Sequence, residues 1–394
     1  MHRKDFIRQL SVLGLTTAIS SELFASAEDH HADFARHLKP IGRRLELEDY
    51  YVWCNSPIEA ADGKIHLFFS RWKAAKKMSG WINGSEIAHA VAANAESEFE
   101  VTGTILQARG PGFWDATTCH NPLIKTFNGR YYLYYMGNSN GKTNTKRIGI
   151  AVSDSLYGPW ERSAEPILLP GDAGAWDDHC TTNPAVIQDS KGKYRLYYKS
   201  WNTQEYEQAT GTIRGNRKYG LAIGDTPEGP FVKYDDNPVI DFSARGNNAQ
   251  FEDAFIWHQD NRYQIIARDM GFYDHESGLL LKSKNGIKWQ SPLIAYDAAA
   301  KYIQQPPAPS HLKKYGREII DGLRTDINFP LFANHTTGRL WGQIYEKSKV
   351  EKKIEYEKTG SRLDGYYACL DPRSIDQKFL NWFKTYEDSI LKFN

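Results

Sequence analysis

The chain has 394 residues, enough for one large domain or two ordinary ones. Apolar residues at 41% supply a core and exclude a disordered chain. Lys plus Arg at 49 against 48 acidic residues leaves no basic stripe for nucleic acid.

The amino terminus reads as an export signal. His2, Arg3, Lys4 and Arg8 precede an apolar stretch over 10–19, and Ala25-Ser26-Ala27 fits a small-residue cleavage site. Arg3 to Arg8 also resembles a degenerate twin-arginine motif, with Lys4 where the second Arg is expected. Residues 1–27 are expected to be a signal peptide, and the protein to work in the periplasm or outside the cell. No other stretch approaches the ~20 apolar residues of a membrane span.

From residue 85 onward the chain can be laid over itself. Segments 85–100, 149–161, 220–232 and 279–290 each read as a strand, a polar turn and a return. Ile150-Ala151-Val152-Ser153-Asp154 and Leu221-Ala222-Ile223-Gly224-Asp225 both run on to a Gly-Pro-aromatic, at Gly158 and Gly229. About four strands per repeat predicts an all-β fold, a β-propeller, whose repeats converge on one channel.

A second, offset repeat marks the inner strands. Blade one starts at Trp53-Cys54-Asn55-Ser56-Pro57, turns at Asp62-Gly63 and returns through Leu67-Phe68-Phe69. Blade two carries Trp114-Asp115, then His120-Asn121-Pro122, and blade three Trp176-Asp177, then Thr182-Asn183-Pro184. Each is followed by a Tyr-rich strand, 131–135 and 194–198. Blade four departs: Phe251-Glu252-Asp253-Ala254-Phe255-Ile256 places two carboxylates together, and counting back from Ile256 and Ile187 sets Glu252 opposite Asn183. A degraded fifth copy is expected at 328–331, returning through 340–342. The expected organisation is a five-bladed propeller over 28–346 and a carboxyl-terminal extension over 347–394. Phe379, Leu380, Trp382, Phe383 and Ile390 of that extension read as an amphipathic helix. Residues 298–315 read as a surface loop that edges the pocket.

Residues that recur in every blade are read as scaffold, and those that differ at equivalent positions as chemistry. On that rule Glu252, Asp253, His120, Asp178 and His179 stand out, while Asp115 and Asp177 carry a suspicion of loop fixing. Because each second strand runs antiparallel, Arg71, Asn138, Lys199, Arg268 and Asp269 return to the same face. Cations there favour an anionic ligand. Cys119 and Cys180 are either buried packing residues or one bridge.

These hairpins and the blade-four carboxylates resemble the five-bladed propeller glycosidases, a group that includes glycoside hydrolase families 43, 32, 62, 117 and 130. The resemblance runs over roughly 46–346 and implies an Asp base in blade one, a second Asp in blade three and a Glu acid in blade four. Glu252 falls on the Glu position, but Asn55 and Asn183 fall on the two Asp positions, which marks a divergent branch. An Asn takes no proton, so Asn55 reads as a sugar ligand. The base must then come from Asp178, Asp115 or Asp253, with His120 orienting it or acting itself.

The function implied is an exported glycoside hydrolase acting on a plant or algal oligo- or polysaccharide. The alternatives are a non-catalytic carbohydrate-binding propeller and a glycoside phosphorylase. Candidate catalytic residues are Glu252, Asp178, Asp115 and Asp253. Candidate substrate ligands are Asn55, His120, Asn121, His179, Asn183, Arg71, Trp114, Lys199 and Asp269. Flanked by Phe251 and Phe255, the Glu252 carboxyl is expected to be desolvated, which favours the protonated acid. No ligand spacing amounts to a metal motif and no cofactor is expected; a channel calcium ion is left open. The partner is the glycan itself, with no nucleic acid and no membrane span, and monomer or dimer is undecided.

Overall fold

The computed structural model describes residues 30–32, 39–40, 45, 47, 49–76, 78–93, 97–208, 215–246, 250–259, 261–273, 278–296 and 323–324. The chain divides into two units, Met1–His31 and Ala32–Asn394; the first lies almost wholly outside the described residues, and every named element belongs to the second.

A short pair, β1 (Lys39–Pro40) with β18 (Leu323–Arg324), stands apart from four four-stranded sheets. The first sheet is β2 (Tyr50–Glu59), β3 (Ile65–Lys73), β4 (Glu86–Ala92) and β5 (Glu100–Leu106). The second is β6 (Thr118–Phe127), β7 (Arg130–Asn138), β8 (Lys146–Ser153) and β9 (Glu161–Arg162). The third is β10 (Thr182–Gln188), β11 (Tyr194–Ser200), β12 (Lys218–Gly224) and β13 (Val232–Lys233). The fourth is β14 (Gln250–Gln259), β15 (Arg262–Met270), β16 (Gly278–Ser283) and β17 (Leu293–Tyr296). A short helix, α1 (Thr203–Gln208), follows β11. Every pairing within the sheets is antiparallel and sequential, and β2, β6, β10 and β14 adjoin one another in chain order. This is the blade order of a propeller.

The described residues thus build four blades, one fewer than expected. The fifth copy at 328–342 lies outside them, as do the signal segment 1–27, the loop 298–315, Cys369 and the helix expected in the extension.

The inner strands are covered on both faces, which is why they read as apolar runs. In β7, Leu133 and Tyr135 pack with Ile58, Phe68 and Ile87 of blade one. The alternating residues Tyr132 and Tyr134 pack with Val186, Leu196 and Tyr198 of blade three. Blade three repeats the division: Leu196 and Tyr198 face blade two, while Tyr197 joins Phe251, Ile256 and Ile265 of blade four. The period of two sends successive side chains to opposite neighbours, and both neighbours are sheets. The second hairpin closes at Asn128 and Gly129, with φ of 51° and 80°, between the paired residues Phe127 and Arg130. Two successive left-handed residues are what a tight two-residue hairpin requires.

Each inner strand carries one bulge. The register shifts between Trp53 and Ser56, His120 and Leu123, Thr182 and Ala185, and Glu252 and Phe255. Amides released from the ladder find partners on neighbouring elements. Asn121 N–H donates to Ser70 Oγ at 3.0 Å, and Ala254 N–H to the Tyr219 hydroxyl at 3.0 Å. Bulges bend a strand and re-aim its side chains, and here they do so at the start of every inner strand.

Candidate active site

The bulges give the equivalences that the sequence alone left open. Cys54, Asn121, Asn183 and Asp253 all have φ between 48° and 56°, one in each inner strand. Asp253 is therefore the counterpart of Asn183, and Glu252 the counterpart of Thr182. Counting through Ile187 and Ile256 sets the fourth blade one residue out of step. The same correction replaces Asn55 by Cys54 in blade one. The positions before the bulge are Trp53, His120, Thr182 and Glu252, so an aromatic, an imidazole, a hydroxyl and a carboxylate share one level.

The bulge residues touch in pairs across blades. The Cys54 thiol donates to Asn121 Oδ1 at 2.7 Å, and the Asn183 amide donates to Asp253 Oδ1. Thr182 Oγ1 donates to Asn183 Oδ1 at 2.8 Å, fixing that amide's orientation. Asp253 is buried, and it lies beside the buried Tyr219.

Glu252 is 12% exposed and sits among cations. Its Oε1 pairs with Lys199 Nζ, and Arg217 Nη1 lies 3.1 Å from both carboxylate oxygens. Phe251 and Phe255 are buried in the core clusters. The carboxyl expected in an apolar setting is thus held in ion pairs. Lys146 completes the group: its Nζ lies 4.3 Å from the Trp201 ring centre and 5.6 Å from that of Trp81. Burial, and the repulsion of Lys199 and Arg217, bring Lys146 down to about 8.

His179 stacks on Trp201 at 5.2 Å and lies 4.4 Å from the Tyr206 ring. Its two nitrogens share hydrogen bonds with Thr143 Oγ1 at 2.9 Å and Thr203 Oγ1 at 3.2 Å. Burial pulls it down to about 4, so it is a neutral, fixed ring at neutral pH. His120 lies on the blade-one side. It shares a 2.8 Å hydrogen bond with Ser85 Oγ, and its ring meets Trp72 and Trp81 at 5.7 and 6.0 Å. Trp81 is half-buried and borders both His120 and Lys146.

Other residues named from sequence are held by local partners. Asp115 is fully buried and accepts from Arg109 at 2.5 Å, Tyr135 at 2.9 Å and Arg162 at 3.4 Å. Asp177 repeats this with Tyr198 at 2.8 Å and Lys233 at 2.6 Å. Trp114 lies against Gly137 and Gly149, where an added Cβ would come within 2.2 Å of its ring. Arg71 binds Glu86 at 2.7 Å and Thr104 at 3.0 Å, along the outer strands of blade one. Asp269 accepts the amides of Gly271, Phe272 and Tyr273 at 2.7–3.0 Å, which shapes the loop after β15. Asp178 accepts the amides of Gly174 at 2.8 Å and Thr203 at 2.6 Å. Asn55 is fully buried. Cys54, Cys119 and Cys180 are free buried thiols, so Cys119 and Cys180 are packing residues rather than a bridge. Among the described residues no three His, Cys, Asp or Glu side chains gather as metal ligands would. Nor is any helix there long and apolar enough to cross a membrane.

Lys146 and Arg217 were missed in the sequence, although a signal existed. Gly149 pairs with Tyr135 and Gly220 with Tyr198, so Lys146-Arg147 and Arg217-Lys218 are the same double-basic start of a third strand.

Residues 97–246 match the family described as glycosyl hydrolases family 43. The fold agrees with a family 117 glycoside hydrolase from the marine bacterium Zobellia galactanivorans, at a TM-score of 0.53 and 19% identity over 66% of this chain and 75% of that one. The chain is thus similar to family 43 over 97–246 and shares its fold with a propeller glycosidase. A second solved structure, described as a glycoside hydrolase, gives a TM-score of 0.52 at 17% identity over 67% of this chain and 82% of that one. At such identity the likeness shows the fold. An extracellular endo-α-(1→5)-L-arabinanase of Thermotoga petrophila is 29% identical over 140 residues, 30% of this chain and 29% of the relative. An uncharacterized Mycobacterium tuberculosis protein is 27% identical over 145 residues, 36% of this chain and 46% of that protein. The chain thus spans less than half the length of these curated relatives. The family 43 match includes Asn121, Lys146, Asp178, Asn183, Lys199 and Arg217, and it ends before Glu252.

Proposed function

We propose that the chain is an exported glycoside hydrolase that cleaves an oligo- or polysaccharide at the bulge level of its inner strands, with Glu252 as the reacting carboxyl. One observation carries this reading. Of the four equivalent pre-bulge positions, Glu252 alone bears a carboxylate, beside Asp253 and facing cations that fix its place. Hydrolysis of a glycosidic bond asks for a carboxyl acid at the leaving oxygen and a second carboxylate for water or the anomeric carbon. Asp253 and Asp178 are the candidates for the second group, and His120 and Trp81 for contact with the sugar.

In the resting site Glu252 is an ion-paired carboxylate. To act as the acid it takes up a proton when glycan displaces Lys199 or Arg217 from it. The basic and then apolar start of the chain supports export, and the repeat at 328–342 supports a fifth blade closing the ring between blades four and one. A non-catalytic carbohydrate-binding propeller is the second reading. It is favoured by Cys54, Asn121 and Asn183, uncharged at three of the four bulge positions.

The test is turnover of a panel of plant and algal oligosaccharides by the full chain, followed through new reducing ends. Cleavage that Glu252→Gln lowers by roughly 10²–10⁴-fold supports the hydrolase. Saturable glycan binding without cleavage would establish the binding module instead.

A further inference from the structure

Among the described residues, the immediate surroundings of Glu252 hold more cations than carboxylates. Lys146 opens β8 of blade two, Lys199 lies in β11 and Arg217 just precedes β12, and the three converge on one ring, Trp201, at 4.3, 5.9 and 5.6 Å. Arg268 is the register partner of Glu252 on β15. Among the described residues, Lys146, Lys199 and Arg217 gather beside one carboxylate, Glu252, while Asp253 is turned toward Asn183. Of the remaining titratable neighbours, two carry no charge and the carboxyl of the third is engaged by its own loop. Burial raises the Cys180 thiol, His179 is neutral, and Asp178 is bound to loop amides.

The excess is buried. The side chains of Lys199 and Arg217 are 4% and 20% exposed, and Lys146 is 4% exposed. Among the described residues the Lys146 ammonium meets only ring faces, and Arg217 Nε is buried with no hydrogen-bond partner. Gathering unmatched cations out of water is costly, and the cost is recovered when an anion enters among them. Guanidinium and ammonium donors together with an aromatic wall suit a planar or tetrahedral oxyanion attached to, or lying beside, a sugar ring.

We propose that Lys146, Lys199 and Arg217 form an oxyanion site beside Glu252, which takes a carboxylate or sulfate carried by an acidic glycan, or inorganic phosphate as co-substrate. The substrate class rests on the glycosidase reading; the binding site does not. With a glycan-borne anion the site positions the sugar for hydrolysis. With phosphate, a phosphate oxygen bonds to the anomeric carbon as the glycosidic C–O bond breaks. The leaving oxygen then takes a proton from the Glu252 carboxyl, giving a sugar phosphate and a shortened glycan.

The full chain is titrated calorimetrically with sulfate, inorganic phosphate, a uronic-acid oligosaccharide and its carboxyl-reduced counterpart. Saturable binding of an oxyanion is expected, weakening as salt rises. Affinity should fall roughly tenfold or more in Lys146→Met and in the more exposed Arg217→Gln, with the circular dichroism of each variant confirming its fold. Turnover then separates the sources. A preference for the acidic glycan over its reduced form assigns the anion to the glycan, and acceleration by phosphate with release of sugar phosphate assigns it to the co-substrate. Absence of oxyanion binding, or equal affinity in wild type and both folded variants, overturns the site. Binding that alters turnover of neither kind overturns the substrate class. Absence of turnover on every glycan overturns the glycosidase reading, while the titration still decides the site.

Discussion

The Trp-Asp pockets of blades two and three and the bulge level of the inner strands are both built from repeats, yet their charges are settled differently. Asp115 and Asp177 each meet one Tyr on the second strand and a cation on the fourth, Arg162 or Lys233, so every repeat satisfies its own carboxylate. At the bulge level the residue type changes from blade to blade, and among the described residues Lys146, Lys199 and Arg217 gather beside the single carboxylate of Glu252. Charge matched within a repeat serves the fold. Charge left over across repeats is where a ligand has something to complete.

The largest effect that sharpens this comparison is at Asp115. Asp115→Asn leaves Arg109 and Arg162 without their buried counter-charge, and should cost about 3 kcal/mol of stability in denaturant unfolding. Protein that still folds should keep its turnover. Loss of turnover at full stability would instead move Asp115 into the chemistry.

A smaller loss is expected at Gly220. There a Cβ would stand 2.7 Å from both Trp176 and Tyr198, so Gly220→Ala should cost roughly 1–3 kcal/mol by overpacking. Glycan affinity should not change, since both rings belong to the pocket of Asp177.

The third prediction concerns pH. His89 is buried and shares a 2.9 Å hydrogen bond with His66; its other nitrogen meets Thr102 Oγ1 at 2.7 Å. Burial, with His66 adding to it, pulls His89 from 6.5 to about 3, and His66 is lowered too. Below 6.5 the unfolded chain binds protons that the folded chain refuses. Stability is therefore level above that value and is lost as pH falls toward 3, by up to about 1.4 kcal/mol per pH unit for His89. His89→Gln should flatten this slope in pH-dependent melts. An unchanged slope would mean that other groups carry the acid sensitivity.

Much of the scaffold was legible because repetition is a property of sequence. The Trp-Asp and Tyr-rich segments mark the blades, and the alternation in 131–135 follows from sheets covered on both faces. The equivalences of blade four were not legible. A bulge adds a residue without changing composition, and Phe251-Glu252-Asp253-Ala254-Phe255-Ile256 offers apolar residues at two adjacent registers. Left-handed φ at Cys54, Asn121, Asn183 and Asp253 decides the count, and only the backbone shows it. Lys199 and Glu252 were read from the sequence as site candidates, but the cations beside them begin the third strands of blades two and three. Arg71 and Asp269 share a strand end with the site and turn to local partners, because strand ends also need closing.

The central claim is that Glu252 acts as the acid at the leaving oxygen. The most direct measurement compares wild type and Glu252→Gln on two substrates with the same sugar, one with a natural sugar leaving group and one with an activated aryl group. We predict a loss of roughly 10²–10⁴-fold on the natural glycan and a much smaller loss on the aryl glycoside, which needs little protonation to depart. Equal losses on both would contradict the acid role and assign Glu252 to attack or to water activation, and no loss on either would remove it from the chemistry.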